Sequence, residues 1–435
     1  MTSSLTISQA ERGLRGAARV PADKSITHRG LILGAVATGE SRLANPSPAG
    51  DCAATLACIQ ALGAQVDGGP GEWRIRGVGL RGLQEPADAL DCCRSGTTMR
   101  LLAGLLAGQE GLFILRGDPQ LHRRPMGRIV EPLRAMGAQA TGRAGGKFPP
   151  LVIQGGALRG TTHHLAVASA QVKSCLLLAG LLAEGTTTVH SPAPSRDHTE
   201  RLLQAAGVPL REDGTTVAVE GPVEALAPLD LVVPGDFSSA AFLLVAACLV
   251  PGSEVVLQGV GLNPTRMGLL HVLRQMGASV EVHQGGASNA GEPVGDLLVR
   301  WSPLRGVEVG GEAIPALIDE VPILAVAATQ AEGTTVVRDA ADLRHKESDR
   351  IAATVQELRR LGARIEERPD GFVVEGPARL RGARVESHGD HRLALALAVA
   401  GLVAEGETVV EGFDRAADSF PGFPEVLADL LEGGR

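Results

Sequence analysis

The sequence predicts a mixed α/β protein made of six repeated units of about 70 residues, grouped as two domains of three units each. Three observations predict it. Apolar helical runs each lead to a glycine beside an acid or hydroxyl residue and then to a β-branched stretch; these pivots, Gly39, Gly111, Gly185, Gly252, Gly333 and Gly406, stand 72, 74, 67, 81 and 73 residues apart. A second glycine keeps the same beat, because Gly63, Gly137, Gly207, Gly277 and Gly362 each follow Leu, Met or Ala at the end of a more charged helix. One such unit alone can hardly bury its apolar helix, so the units must share cores.

Within a unit the order reads as buried helix, glycine stop, strand, amphipathic helix, second glycine stop and further strand, with glycine as the helix C-cap. The pivot text is ATGESRL, GQEGLFI, AEGTTTV, VPGSEVV, AEGTTVV and AEGETVV. The second marker reads LGAQV, MGAQA, AGVPL, MGASV and LGARI; a sixth copy would fall near the C-terminus, where none is visible. The longest apolar runs, 240–250 and 393–404, fall well short of the roughly 20 residues that span a bilayer and read as core helices. No linker marks the midpoint, and Pro234-Gly235, just before the fourth apolar helix, is the candidate hinge.

Composition narrows the function. A net charge of −8, 2% aromatic residues and no tyrosine remove the basic field and the stacking platforms on which nucleic-acid binding relies. The six cysteines show no CxxC spacing and sit mostly in apolar runs, which argues against zinc or a disulfide framework and fits a reducing cytoplasm. The first twenty residues are rich in Ser, Thr and Arg, with Glu11 their one acid, but hold no apolar signal core, so no targeting is expected.

Groups that handle anions and protons cluster where each apolar helix begins: Lys24-Ser25 with Arg29, Ser95-Gly96-Thr97-Thr98 with Arg100, Ser169-Ala170-Gln171, Asp236-Phe237-Ser238-Ser239, Asp319-Glu320, and Asp390-His391-Arg392. A helix N-terminus offers free N–H groups and partial positive charge to an anion. Ser, Thr and Asp at these places are also ordinary N-caps. Caps do not account for Lys24, Arg29, Arg100 and Arg392, whose charge opposes the helix dipole in the first turn and therefore calls for an anion; Lys173 is a weaker case. Further cations open the amphipathic helices: Arg123, Arg124 and Arg128, Arg196 in SRDHTE, and Arg344, Lys346 and Arg350 in LRHKESDR. A solvated charged face is the alternative for each. Gly77, Gly79 and Gly82 match GxGxxG, but Pro86 and the absence of a following helix make them a turn. No GxSxG elbow is present, and Asp197-His198 and Asp390-His391 are weak as metal ligands.

The runs DKSITHR, RSGTTMRLLAG, RRPMGR, SAQVKS, SRDHTE, PGDFSSAAF, IDEVPILAVAA, HKESDR and GDHRLALAL resemble, in order, the signature segments of the enolpyruvylshikimate-phosphate synthases. The resemblance implies an inside-out α/β barrel of two three-repeat domains, 21–237 and 1–20 plus 238–435, the N-terminal strand returning to the C-terminal half and the active site lying in the cleft between them. It implies transfer of the enolpyruvyl group of phosphoenolpyruvate to the 5-hydroxyl of shikimate 3-phosphate by addition and elimination, with no cofactor and no metal. Shikimate 3-phosphate is matched to Lys24, Ser25, Arg29, Ser169, Ala170, Gln171, Arg196, Asp319 and Lys346, and phosphoenolpyruvate to Lys24, Gly96, Arg124, Gln171, Arg350 and Arg392. Asp319 or Lys346 is placed to deal with the hydroxyl proton and Glu347 with the methylene proton, while Lys24 and Arg124 would stabilise departing phosphate. The herbicide glyphosate would occupy the phosphoenolpyruvate site beside Gly96.

Two positions depart from the family pattern: Arg94 stands where Asn is usual, and Asp418 where many relatives place a Lys that reaches phosphate. The nearest rival, a UDP-N-acetylglucosamine enolpyruvyl transferase, typically carries a reactive Cys in the loop that is 116–124 here, and this loop has none. A non-enzymatic anion-binding or RNA-end-processing protein on the same barrel would not need Asp319, Lys346 and Glu347 together. The expected protein is a cytoplasmic monomer acting on small molecules, with no nucleic-acid or membrane partner.

Overall fold

The structure, a computed structural model, describes residues 3–287 and 290–433. The chain forms two compact units. The first holds Ala22–Val233 together with residues 290–292; the second holds the N-terminal stretch up to Pro21, Pro234–Gly286, and the chain from Pro293 onward. The passages after Pro21 and Val233 stand against joins expected at 20/21 and 237/238. The second lies earlier because Gly235 already bridges Val260 and the Asp236 amide donates to the Pro21 carbonyl, which anchors the start of the fourth apolar helix in the second unit.

Among the described residues twelve helices of eight residues or more come as six pairs. In the first unit they are α1 (Lys24–Val36) and α2 (Gly50–Ala61), α3 (Gly96–Leu106) and α4 (Gly127–Ala135), and α5 (Ala170–Gly180) and α6 (His198–Ala205). In the second unit they are α7 (Phe237–Leu249) and α8 (Gly268–Gln275), α9 (Val321–Thr329) and α10 (Arg350–Arg360), and α11 (His391–Gly401) and α12 (Phe423–Glu432). The first member of each pair is buried along almost its whole length, and every residue of α7, α9 and α11 is buried. Such helices have no polar face to show water and must be enclosed. The second members bury one stripe, as Ile351, Val355 and Leu358 of α10 do.

Sheets enclose the inner helices. Among the described residues five of the six have four strands and one has three. In each four-stranded sheet three antiparallel strands, the last of them in sequence lying in the middle, receive a short parallel strand from elsewhere in the unit, so that Asp230–Val232, at the end of the third repeat, pairs with Thr38–Ala44 of the first and closes the ring. The second unit closes in the same way, Arg15–Arg19 pairing with Glu254–Gly261. In its last repeat that antiparallel hairpin is absent among the described residues, and Ser4–Ser8 lies antiparallel to Glu407–Glu411 in its place. This is the inside-out α/β barrel built from six repeats, with helices inside and sheets around them.

The two glycine series have different jobs. All six pivots have positive φ, but α1 already ends at Ala37 and Gly39 lies inside the following strand, so the pivots open strands rather than cap helices. The second series holds the C-caps. Gly63 donates to the Gln60 carbonyl and Ala64 to that of Ile59, and the same pair of bonds recurs at Gly137, Gly207, Gly277 and Gly362, each with positive φ. These are Schellman closures, which need a residue free to adopt left-handed backbone. A sixth glycine, Gly433 at φ 103°, ends α12, its amide donating to the Asp429 carbonyl four residues back and not three back as in the other five. Its flanks, EG and GR, lack the branched residue that marks the others.

Inner helices approach closely at Gly104, where an added Cβ would stand 2.1 Å from the Cys175 carbonyl oxygen. A backbone atom cannot yield to it as a flexible side chain does, so Gly104→Ala should lower stability by about 1–3 kcal/mol in urea unfolding. Gly50→Ala, where an added Cβ meets nothing within 4 Å, should leave stability unchanged or slightly higher.

Candidate active site

In the first unit the beginnings of α1, α3 and α5 converge. Asp23, Ser95 and Ser169 cap them by accepting from the amides of Ile26, Thr98 and Val172. Arg29, on the second turn of α1 and 4% exposed, donates to the Thr199 hydroxyl at 2.7 Å, the Ser174 hydroxyl at 2.9 Å and the Ser25 carbonyl at 2.9 Å. All three acceptors are neutral, and burial pushes the guanidinium down to about 10. Among the charges around it the Glu200 carboxylate, itself paired with Lys173, weighs most, followed by Arg196, Asp23 and Glu292. Lys24, the first residue of α1, lies 3.4 Å from the Asp51 carboxylate.

Arg100 ties three segments together. It donates to the Gln171 amide oxygen at 2.5 Å and to the Pro125 carbonyl at 3.2 Å, while the Gln171 amide nitrogen donates to the Thr97 hydroxyl at 2.9 Å. The N-termini of α3 and α5 and the turn carrying Arg124 are thereby held in one place. Gly96 sits against this clamp: an added Cβ would be 2.8 Å from Arg100 Nη1 and 3.1 Å from Arg124 Nη1.

In the second unit the starts of α7, α9 and α11 converge on carboxylates. Arg350, 2% exposed, donates through Nε to Asp390 at 2.8 Å, through Nη1 to Asp319 at 3.1 Å and through Nη2 to Glu347 at 2.6 Å. Burial alone would lower its proton affinity, but Asp390, Glu347 and Asp319 outweigh that and hold it above the ordinary value. Arg392 lies 3.8 Å from Asp319 and 3.9 Å from Glu320. Buried Glu320 accepts from the Ser238 hydroxyl, which in turn accepts from buried Arg266 at 2.6 Å; Arg266 also binds Asp236, the cap of α7, at 2.8 Å. Lys346 lies 3.1 Å from Asp342.

The residues singled out from the sequence thus fall into two groups. Lys24, Ser25, Arg29, Gly96, Arg124, Ser169, Ala170, Gln171 and Arg196 belong to the first unit, and Asp319, Lys346, Glu347, Arg350 and Arg392 to the second. Several other cations are engaged elsewhere. Lys173 forms a buried pair with Glu200 at 2.5 Å, and Arg344 pairs with Asp349 and Glu367. Arg94 is bound to Asp118 at 2.9 Å. Sequence reasoning missed Asp390 as the main partner of Arg350, because a capping Asp looks alike whether or not it also holds a guanidinium. It also missed Arg266, and it read Arg100 only as calling for an anion, whereas that guanidinium also holds Gln171 and the Pro125 carbonyl.

Comparison with known proteins gives a consistent result. A family model described as EPSP synthase (3-phosphoshikimate 1-carboxyvinyltransferase) matches residues 8–427. A protein of Synechococcus sp. strain JA-3-3Ab named 3-phosphoshikimate 1-carboxyvinyltransferase is 56% identical, covering 98% of this chain and 96% of that one. One of the same name from Gloeobacter violaceus is 55% identical, covering 99% and 100%. The solved EPSP synthase of Acinetobacter baumannii superposes with a TM-score of 0.87 at 41% identity, covering 98% of each chain.

Two measurements check this geometry. Asp390→Asn keeps the cap of α11 but removes the charge facing Arg350, and urea unfolding should show a loss of about 3 kcal/mol, as for other buried pairs broken on one side. His28, buried on α1, has its pKa lowered from 6.5 to about 3, mainly by burial. The unfolded chain therefore takes up this proton below pH 6.5 while the folded chain does so only near 3, and stability is lost as the pH falls through that window. Replacement by Leu should make the decline between pH 6 and 4 shallower than in the wild type; an identical slope would mean that His28 is protonated in the folded protein.

Proposed function

We propose a division of labour from one premise: the chain belongs to the EPSP synthase family and transfers the enolpyruvyl group of phosphoenolpyruvate to the 5-hydroxyl of shikimate 3-phosphate, releasing phosphate. The observation that carries the assignment of roles is Arg29, a buried cation whose hydrogen bonds go to neutral oxygens. The carboxylate that weighs most on it, Glu200, is already paired with Lys173, and an anionic ligand bonded directly to the guanidinium would offset the cost of its burial. Shikimate 3-phosphate is therefore assigned to Lys24, Ser25, Arg29, Ser169, Ala170, Gln171 and Arg196 of the first unit, with Asp319 and Lys346 of the second. Phosphoenolpyruvate is assigned to Lys24, Gly96, Arg124 and Gln171, with Arg350 and Arg392.

The second unit supplies the proton chemistry. For the 5-hydroxyl proton we favour Asp319 over Lys346, because a carboxylate beside Arg350 and Arg392 has lone pairs to accept it, whereas the Lys346 ammonium has none and faces Asp342. Glu347 accepts from Arg350 at 2.6 Å. When the carboxylate of phosphoenolpyruvate arrives at Arg350 it competes with Glu347, and the like charges raise the proton affinity of Glu347 until it carries the proton that the methylene carbon receives. In the elimination step the methyl group returns a proton, and phosphate leaves against Lys24, Arg124 and the N–H groups opening α3.

We also read the protein as a cytoplasmic monomer with these two small molecules as its partners. Its acidity and lack of tyrosine argue against nucleic acid, and among the described residues no helix is long and apolar enough to cross a membrane.

In an assay coupled to phosphate release, activity should require shikimate 3-phosphate, and UDP-N-acetylglucosamine should not replace it. Lys24→Ala, Arg124→Ala and Lys346→Ala should each cut turnover by roughly 100-fold or more with the fold intact. Glu347→Gln should slow single-turnover chemistry more than it weakens substrate binding, and an unchanged rate would remove its proton-transfer role. Glyphosate should compete with phosphoenolpyruvate. Gly96→Ala should weaken the inhibitor more than the substrate, since the added methyl crowds Arg124 and Arg100 and narrows the space left to the longer molecule; equal losses would contradict this.

A further inference from the structure

Beneath the N-terminus of α3 a buried chain of hydrogen bonds connects three helices. His28 Nδ1 on α1 lies 2.7 Å from the Thr55 hydroxyl on α2, which lies 2.6 Å from that of Thr98 on α3. The Thr98 hydroxyl donates to Ser95 Oγ at 2.7 Å, and the Thr98 amide donates to the same oxygen at 3.0 Å. None of the four side chains is more than 2% exposed.

Each hydroxyl has one proton, and this sets the direction of the whole chain. The Thr98 proton is committed to Ser95, so the 2.6 Å contact with Thr55 requires the Thr55 proton. Thr55 then has none left for His28, and the bond between them requires the proton on His28 Nδ1. A neutral imidazole protonated at Nδ1 supplies it, and burial keeps His28 neutral. At the other end Ser95 Oγ accepts two hydrogen bonds, which occupies both lone pairs. Its own proton has no acceptor among the described residues. A hydroxyl donor left without an acceptor at a site 1% exposed is costly unless a ligand takes it up.

We infer that Ser95 is a phosphoenolpyruvate-binding residue, its hydroxyl donating to an anionic oxygen at the N-terminus of α3, and that His28 is a positioning residue that fixes this direction through Thr55 and Thr98. The inference rests on the reading that places phosphoenolpyruvate beside Gly96. The chain turns a cap that otherwise serves only the helix into a one-way donor, adding a neutral contact to the charges of Lys24 and Arg124. Ser95 can no longer turn its proton inward, so the donor is oriented before the ligand arrives.

The test is steady-state kinetics with phosphoenolpyruvate varied, together with calorimetric titration of shikimate 3-phosphate, on Ser95→Ala, Ser95→Thr, His28→Leu and the double variant Ser95→Ala/His28→Leu. Thermal melts establish that each variant is folded. Ser95→Ala should raise KM for phosphoenolpyruvate roughly 10- to 100-fold, the range for a hydrogen bond to a charged group, with a smaller change in kcat. Ser95→Thr, which keeps both cap and donor, should restore most of it. His28→Leu should raise the same KM roughly 3- to 10-fold and have no further effect when Ser95 is already Ala. An unchanged KM in Ser95→Ala would overturn the donor role while leaving phosphoenolpyruvate at α3, which Arg124→Ala reports separately. Effects of His28→Leu and Ser95→Ala that simply multiply would overturn the positioning role. Weakened binding of shikimate 3-phosphate with an unchanged KM for phosphoenolpyruvate would overturn the placement of the two substrates, and the inference with it.

Discussion

A helix that is apolar on every side must be enclosed along its length, and only its ends remain for polar chemistry. That constraint governs both units. Three such helices in each begin at one end of the core, as the bonds from Arg29 to Ser174, from Arg100 to Gln171, and from Ser238 to Glu320 record. Sheets and amphipathic helices supply the enclosure. The converging N-termini bring dipole and free N–H groups together, so the packing of the core and the placing of an anion site follow from the same requirement.

The two units use this frame differently. In the first, the guanidinium of Arg29 rests on neutral oxygens and that of Arg100 on amide and carbonyl oxygens. In the second, Arg350 is surrounded by Asp319, Glu347 and Asp390. We read the first arrangement, in which the carboxylate that weighs most on Arg29 is already paired with Lys173, as leaving Arg29 for an anionic ligand. The second spends its positive charge on holding carboxylates in place, one of which, Asp390, is fully buried and is fixed further by capping α11. The proposed division, with anion capture mainly in one unit and proton handling in the other, follows from that difference.

Much of this was legible in one dimension because it rests on local patterns. The period of the pivot glycines, the apolar inner helices and the polar residues at their starts are all short-range features, and Asp23, Ser95, Ser169, Asp236 and Asp390 do cap their helices. Pairing at long range was not legible. Nothing near Asp230–Val232 announces that it completes the sheet of Thr38–Ala44, and nothing near Ser4–Ser8 announces its place beside Glu407–Glu411. The fate of individual charges was hidden for the same reason. Lys24 and Lys173 both lie in first turns, yet Lys173 is neutralised at 2.5 Å by Glu200, a residue of another helix. The pivot glycines were assigned to helix ends because a glycine after an apolar run reads alike in either role; the amide partners alone separate a Schellman closure at Gly63 from a strand opening at Gly39. The specific substrate contacts came from the family resemblance, since a pattern of charges names a class of ligand and not a molecule.

The central claim is that Arg29, buried and bonded to neutral oxygens, is held for the ligand of the first unit, and calorimetric binding of shikimate 3-phosphate to Arg29→Leu beside the wild type tests it most directly. If Arg29 is held for the ligand, the dissociation constant should rise by at least roughly 10-fold while the unliganded variant melts close to the wild type, because the desolvation cost of a buried guanidinium is removed and the Ser174 and Thr199 hydroxyls still bond each other. Unchanged affinity, or a melting point that falls sharply with affinity retained, would show that Arg29 is part of the scaffold and would contradict the account.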